Sequence, residues 1–174
     1  FNTIEFLPSS EIKVTPISIE SDRLETLNRH LLLLYTGISR FANEVTKDQV
    51  SQTTKNEKHL KKIQHMVEEG LSILNSSRPL SDFGRLLDLA WQEKKQLSTK
   101  ISNNKLDDIY QRAKNAGVLG GKLLGAGDGG YFLFYVPTKN KMNFIKHMKI
   151  KNMQVDNFNF DELGLRTWLT KTKL

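Results

Sequence analysis

Apolar and polar positions alternate at the start of the chain. In Thr3-Ile4-Glu5-Phe6 and again in Glu11-Ile12-Lys13-Val14-Thr15 every second residue is apolar. That is the period of a half-buried strand, and Pro8-Ser9-Ser10 between the two runs supplies a turn, so a hairpin is expected. Ser21 is placed to cap a short helix through His30 that carries Leu24 and Leu27 inward. Leu31-Leu32-Leu33-Leu34-Tyr35 is apolar throughout, as in a strand covered on both faces, and it ends at Thr36-Gly37.

The period then changes. Leu60, Ile63, Val67, Leu71 and Leu74 recur at three- and four-residue spacing, the stripe of an amphipathic helix. Pro79 and Ser81 open a second helix with Phe83, Leu86, Leu87, Ala90 and Trp91 on one face. Asn104 is the expected cap of a third, with Asp107 complementing the helix dipole and Gly117 closing it. These stripes are read as core. Further strands are expected before and after a glycine-rich turn, the second over residues 131–136. A helix near 140–149, a strand around 153–160 and a short terminal strand over 165–169 complete the reading. This order predicts an α+β fold with helices on one side of a mainly antiparallel sheet.

Composition narrows the picture little. The 174 residues, 38% hydrophobic, suffice for one domain with a real core. No apolar run is long enough to cross a membrane as a helix. Phe1-Asn2-Thr3-Ile4-Glu5 is neither basic nor continuously apolar, so no signal peptide is expected. The absence of cysteine fits a reducing, cytoplasmic setting. The net charge of +7 comes from lysines interleaved with acids and apolar residues. They either solvate helix faces or attract a polyanion such as nucleotide phosphate or nucleic acid.

Candidate chemistry concentrates in one place. Six glycines fall in the eleven residues from Gly120 to Gly130, followed at once by Tyr131-Phe132-Leu133-Phe134. Glycine accepts positive φ and lets backbone amides face a ligand, so this stretch is either a tight structural hairpin or a phosphate cradle. It lacks the lysine-serine tail of a Walker A loop and the following helix of a dinucleotide site.

The whole segment resembles the third signature motif of the GHMP kinases, the superfamily of galactokinase, homoserine kinase and mevalonate kinase. Phe1-Asn2-Thr3-Ile4-Glu5-Phe6-Leu7-Pro8 and Leu34-Tyr35-Thr36-Gly37-Ile38-Ser39-Arg40 are similar to segments of its bacterial heptose-7-phosphate kinase branch. The three matches run in the expected order. The resemblance implies a GHMP-kinase C-terminal domain over residues 31–174, with a ferredoxin-like antiparallel sheet. Residues 1–30 would be the tail of the N-terminal domain. The family's Pro-x-x-x-Gly-Leu-Gly-Ser-Ser loop does not occur in the chain, and the catalytic aspartate is expected upstream of Phe1. This half alone is therefore expected to be inactive, with the N-terminal kinase domain as its missing partner. The implied cofactors are ATP and Mg2+. The implied reaction is phosphorylation of the anomeric hydroxyl of a heptose 7-phosphate for surface polysaccharide.

Site residues follow from the same resemblance. Gly125, Ala126, Gly127, Asp128, Gly129 and Gly130 would form the turn facing the phosphates and the acceptor sugar. Asp128 stands where the family carries glycine. Aspartate tolerates the left-handed region, but its carboxylate suits a phosphate site only if it faces away or meets Mg2+ or a sugar hydroxyl. Thr36, Gly37, Ser39 and Arg40 sit where a buried strand feeds a helix. Ser39 could cap that helix, and Arg40 could fork onto the 7-phosphate, or they form an ordinary cap with a solvated arginine. Lys122 either reaches a phosphate or points outward from its strand.

His30, His59, His65 and His147 show no spacing of a metal cage, and none is assigned to metal. Asp107 and Asp108 are explained by their place in a first helical turn. Three alternatives stay open. The chain could belong to another small-molecule kinase of the superfamily. It could be a basic ferredoxin-like module that binds RNA through sheet aromatics. It could also be a dimerisation or regulatory piece, a homodimer joined through the helical stripes at 60–74 and 83–97.

Overall fold

The computed structural model describes residues 1–39, 42–149, 153–161, 164, 165, 167 and 168. Two antiparallel strands, β1 (Asn2–Phe6) and β2 (Ile12–Pro16), form the expected hairpin, with Ile4 opposite Val14. Helix α1 (Ser21–His30) leads into β3 (Leu31–Tyr35). Four helices follow: α2 (Ala42–Ser51), α3 (Glu57–Leu74), α4 (Ser81–Lys95) and α5 (Asn104–Asn115). β4 (Gly120–Leu123) and β5 (Tyr131–Tyr135) flank the glycine turn. A 3-10 turn (Thr138–Asn140) runs into α6 (Lys141–Lys149), and β6 (Val155–Asp156) closes the sheet.

The main sheet has the order β4-β5-β3-β6, and every neighbouring pair is antiparallel. The all-apolar β3 is explained by its place between β5 and β6, covered on both faces. Leu32 and Leu34 on β3, Leu123 on β4, and Phe132 and Phe134 on β5 point to one face. There they meet Leu106, Ile109, Tyr110 and Ala113 of α5 and Phe144 and Met148 of α6. Trp91 of α4 packs edge-on against Phe132, with centroids 5.5 Å apart. Each fully buried side chain of this kind is worth roughly 1.5–3 kcal/mol. On the opposite face Leu31 and Tyr135 join Leu27, Leu74 and Leu80 in a smaller cluster.

Helix α4 lies unusually close to β4. A Cβ on Gly120 would collide with the carbonyl of Gly84, and one on Gly84 would stand 2.7 Å from the Tyr135 ring. Glycine at both positions permits this backbone-to-backbone approach.

Several local expectations shift. Ser21 is the first helical residue, and Glu20 holds the N-cap position of α1 without a side-chain cap bond. The cap of α5 is Asn103 instead of Asn104, and its side chain accepts the N–H groups of Lys105 and Leu106. β6 pairs over two residues, shorter than the strand expected around 153–160. In the expected terminal strand over 165–169, residues 166, 169 lie outside the described residues, and 165, 167, 168 are not strand. The α3 stripe is not all core. Leu60 is 38% and Val67 50% exposed: α3 packs along α4, and Val67 lines an open cavity with Thr3, Ile17 and Lys122.

Candidate phosphate-binding turn

The β4–β5 turn is built from left-handed residues in close succession. Gly125, Gly127, Gly129 and Gly130 have φ of 70°, 135°, 156° and 91°. Asp128, at φ 58°, takes the conformation that aspartate accepts more readily than most residues. A Cβ at Gly127 would lie 2.9 Å from Ile101 Cα, and one at Gly129 would lie 2.7 Å from Ile38 O. Two loops therefore press against the turn where it has no side chains. At Gly125 and Gly130 a Cβ would meet nothing within 4 Å.

Hydrogen bonds tie the turn to both loops. Asp128 N–H donates to Ile101 O at 2.8 Å, and Gly130 N–H donates to Ile38 O at 2.9 Å. Thr36 donates to Gly130 O twice, from its backbone at 2.9 Å and from its hydroxyl at 2.8 Å. The same hydroxyl accepts Ile38 N–H at 3.3 Å. Leu124 N–H closes the turn onto Tyr131 O. Among the described residues the N–H groups of Gly125, Ala126, Gly127 and Gly129 have no acceptor.

Side chains hold the turn's carbonyls from beneath. Lys94 of α4 donates to Leu123 O at 3.0 Å and to Gly125 O at 2.5 Å. Gln49 of α2 donates to Ala126 O at 2.9 Å. Asn103 donates to the Asp128 carboxylate at 2.8 Å. Lys94 is only 8% exposed. Burial first, and the neighbouring charge of Lys122 second, pull its ammonium down to about 8.

The fold brings the loop of Thr36, Gly37 and Ile38 against the glycine turn. Thr36 is 2% exposed with its hydroxyl engaged, so it shapes the turn and does not reach solvent. Gly37 is exposed at φ 69°, with open space at its Cβ position. Ser39 is exposed, and α2 begins three residues later at Ala42. Arg40 lies outside the described residues. Lys122 departs from the group. Its register opposite Leu133 puts it on the other sheet face from Gly121 and Leu123, lining a cavity of about 260 Å3 with Thr3, Phe83 and Leu87. Burial lowers its ammonium below the ordinary lysine value.

Sequence reasoning missed Lys94, which looked like one of many solvated lysines. The signal was present: Phe83, Leu87, Trp91 and Lys94 fall at spacings of four, four and three, along the buried face of one helix. Gln49 and Asn103 carried no comparable mark.

Residues 73–148 match the family described as GHMP kinases C terminal. The chain is 29% identical over 171 residues to the D-glycero-alpha-D-manno-heptose 7-phosphate kinase of Campylobacter jejuni, covering 97% of this chain and 50% of that protein. Among solved structures it superimposes on the Methanococcus jannaschii mevalonate kinase with a TM-score of 0.67 at 23% identity, over 87% of this chain and 44% of that one. A D-glycero-D-manno-heptose 1-phosphate kinase from Bacteroides thetaiotaomicron gives 0.61 at 19% identity, over 92% and 42%. The chain spans about half the length of the heptose kinase and a smaller share of the bifunctional fucokinases that it also matches. Residues 73–148 thus match the C-terminal family of the GHMP kinases, and the chain carries the GHMP-kinase C-terminal fold.

Proposed function

We propose that this chain is the C-terminal half of a kinase that transfers the γ-phosphoryl of Mg·ATP to the anomeric hydroxyl of a heptose 7-phosphate. The observation that carries the reading is the glycine turn, whose amides at Gly125, Ala126, Gly127 and Gly129 have no acceptor among the described residues. Phosphoryl transfer depends on positioning and on donors aimed at phosphate oxygens, and these amides are such donors. The likeness to the Campylobacter jejuni heptose kinase favours a sugar phosphate as acceptor.

Mg·ATP would supply the phosphoryl group. The turn fits phosphate, since its amides are unspent and Gly125 and Gly130 leave open space. No three acidic, histidine or cysteine side chains converge among the described residues, so no step is assigned to the metal here. The Asp128 carboxylate accepts a hydrogen bond from Asn103, and no role of catalytic base is proposed for it. The catalytic aspartate is proposed to precede Phe1 in the longer protein. Residues 1–30 are proposed as the tail of the N-terminal domain: the β1–β2 hairpin adds nothing to either core cluster, while Leu27 of α1 packs in the smaller one.

An RNA-binding reading finds less support. Phe132 and Phe134, which would have to stack on bases, are completely buried under helices. ADP release with Mg·ATP and heptose 7-phosphate tests the proposal, measured on this chain and on the gene product with its natural N-terminal sequence. Turnover by the longer form alone is expected. A longer form that is folded yet prefers galactose, fucose or mevalonate would remove the heptose assignment, and one inactive on all of them would remove the kinase assignment.

A further inference from the structure

We propose that Lys94 and Gln49 are positioning residues that aim the Ala126 and Gly127 amides at an anionic ligand. The inference rests on the phosphate reading of the turn and adds the residues that set its polarity. Every described peptide bond is trans, and in a trans peptide the C=O and N–H point in opposite directions. Lys94 draws the Gly125 carbonyl toward α4, which turns the Ala126 N–H away from that helix. Gln49 draws the Ala126 carbonyl toward α2, which turns the Gly127 N–H away from it in the same manner. The clamp is needed because Gly125 and Gly127 leave both peptides free to rotate.

The choice of a buried ammonium has a second effect. Lys94 forms no ion pair among the described residues, and its charge is met by two carbonyl dipoles. Lys122 lies near enough to repel it and is likewise unpaired. The Lys94 ammonium, without a carboxylate partner among the described residues, stands behind the turn, and its uncompensated charge favours an anion in front.

The test uses the intact, 15N-labelled protein as wild type, Lys94→Met and Gln49→Ala. Residual dipolar couplings of the Ala126 and Gly127 N–H groups report amide direction without ligand. Titration with pyrophosphate reports anion affinity. Lys94→Met is expected to reorient Ala126 and Gln49→Ala to reorient Gly127, each weakening pyrophosphate binding at least tenfold while couplings elsewhere persist. Gln49 sits on a different helix and keeps the test open if Lys94→Met fails to fold. Unchanged amide directions in the folded variants would overturn the proposal, and so would unchanged affinity. A wild type indifferent to pyrophosphate would overturn it together with the phosphate reading. Wild-type binding with unaffected variants would remove the two positioning roles alone.

Discussion

Asn103 joins the start of α5 to the tip of the glycine turn through a single side chain. Its Oδ1 accepts the N–H groups of Lys105 and Leu106 at 3.0 and 3.1 Å, while its Nδ2 donates to the Asp128 carboxylate at 2.8 Å. The turn's one acidic side chain is thereby tethered to a helix N-terminus, where negative charge is favourable. Asn103→Ala removes a cap and the tether together. A loss of about 1–2 kcal/mol in urea unfolding is expected, toward the upper end of ordinary capping costs.

Asp128 itself occupies φ 58°. Alanine there keeps the left-handed strain and loses the bond to Asn103, whereas glycine relieves the strain. Asp128→Ala is expected to be less stable than Asp128→Gly by about 1 kcal/mol or more, read from paired denaturation curves.

The glycines of the turn are not equivalent. A methyl at Gly129 would stand 2.7 Å from Ile38 O, but at Gly125 it meets open space. Gly125→Ala should cost about 1 kcal/mol of backbone strain. Gly129→Ala should cost more and displace the Thr36–Ile38 loop, which amide shifts at residues 36–38 would report.

Lys94 gives a pH signature. Its folded value of about 8 lies below the ordinary 10.5, so between these limits the unfolded chain binds more protons than the folded one. Stability attributable to Lys94 therefore rises with pH across that window, by up to ~1.4 kcal/mol per unit, and is complete above it. The stability difference between wild type and Lys94→Met, followed by urea unfolding from pH 7 to 10.5, should rise accordingly. A flat difference would mean that the two carbonyl bonds hold the proton against burial.

Thr36→Val keeps the shape of a buried side chain and deletes the hydroxyl that bridges Gly130 O and Ile38 N. A loss of about 1 kcal/mol is expected, with faster hydrogen exchange at the Ile38 amide, which loses its acceptor.

Much of this was legible in the chain where one signal dominated. The unbroken apolar run at 31–35 and the alternation at 3–6 and 11–15 carry their strands outright, because period and composition agree. The turn announced itself through its glycines. Contacts between distant segments left weaker traces. Nothing in Gln49 or Asn103 marks a partner 77 or 25 residues away. Two adjacent asparagines made the α5 cap ambiguous by one position, and only backbone geometry selects Asn103. The α3 stripe had the right period, but Leu60 and Val67 stay substantially exposed, which periodicity alone does not reveal.

The contact of Gly84 with Gly120 has a mechanical consequence. Lys94 follows Gly84 by ten residues on the same helix, about 15 Å along its axis. One end of α4 is seated on β4 backbone to backbone, and the other grips the carbonyl at which β4 becomes the turn. A rod fastened to a strand at two points acts as a splint. Any tilt of α4 about its seat would be felt as leverage on the turn, and the two glycines fix the fulcrum.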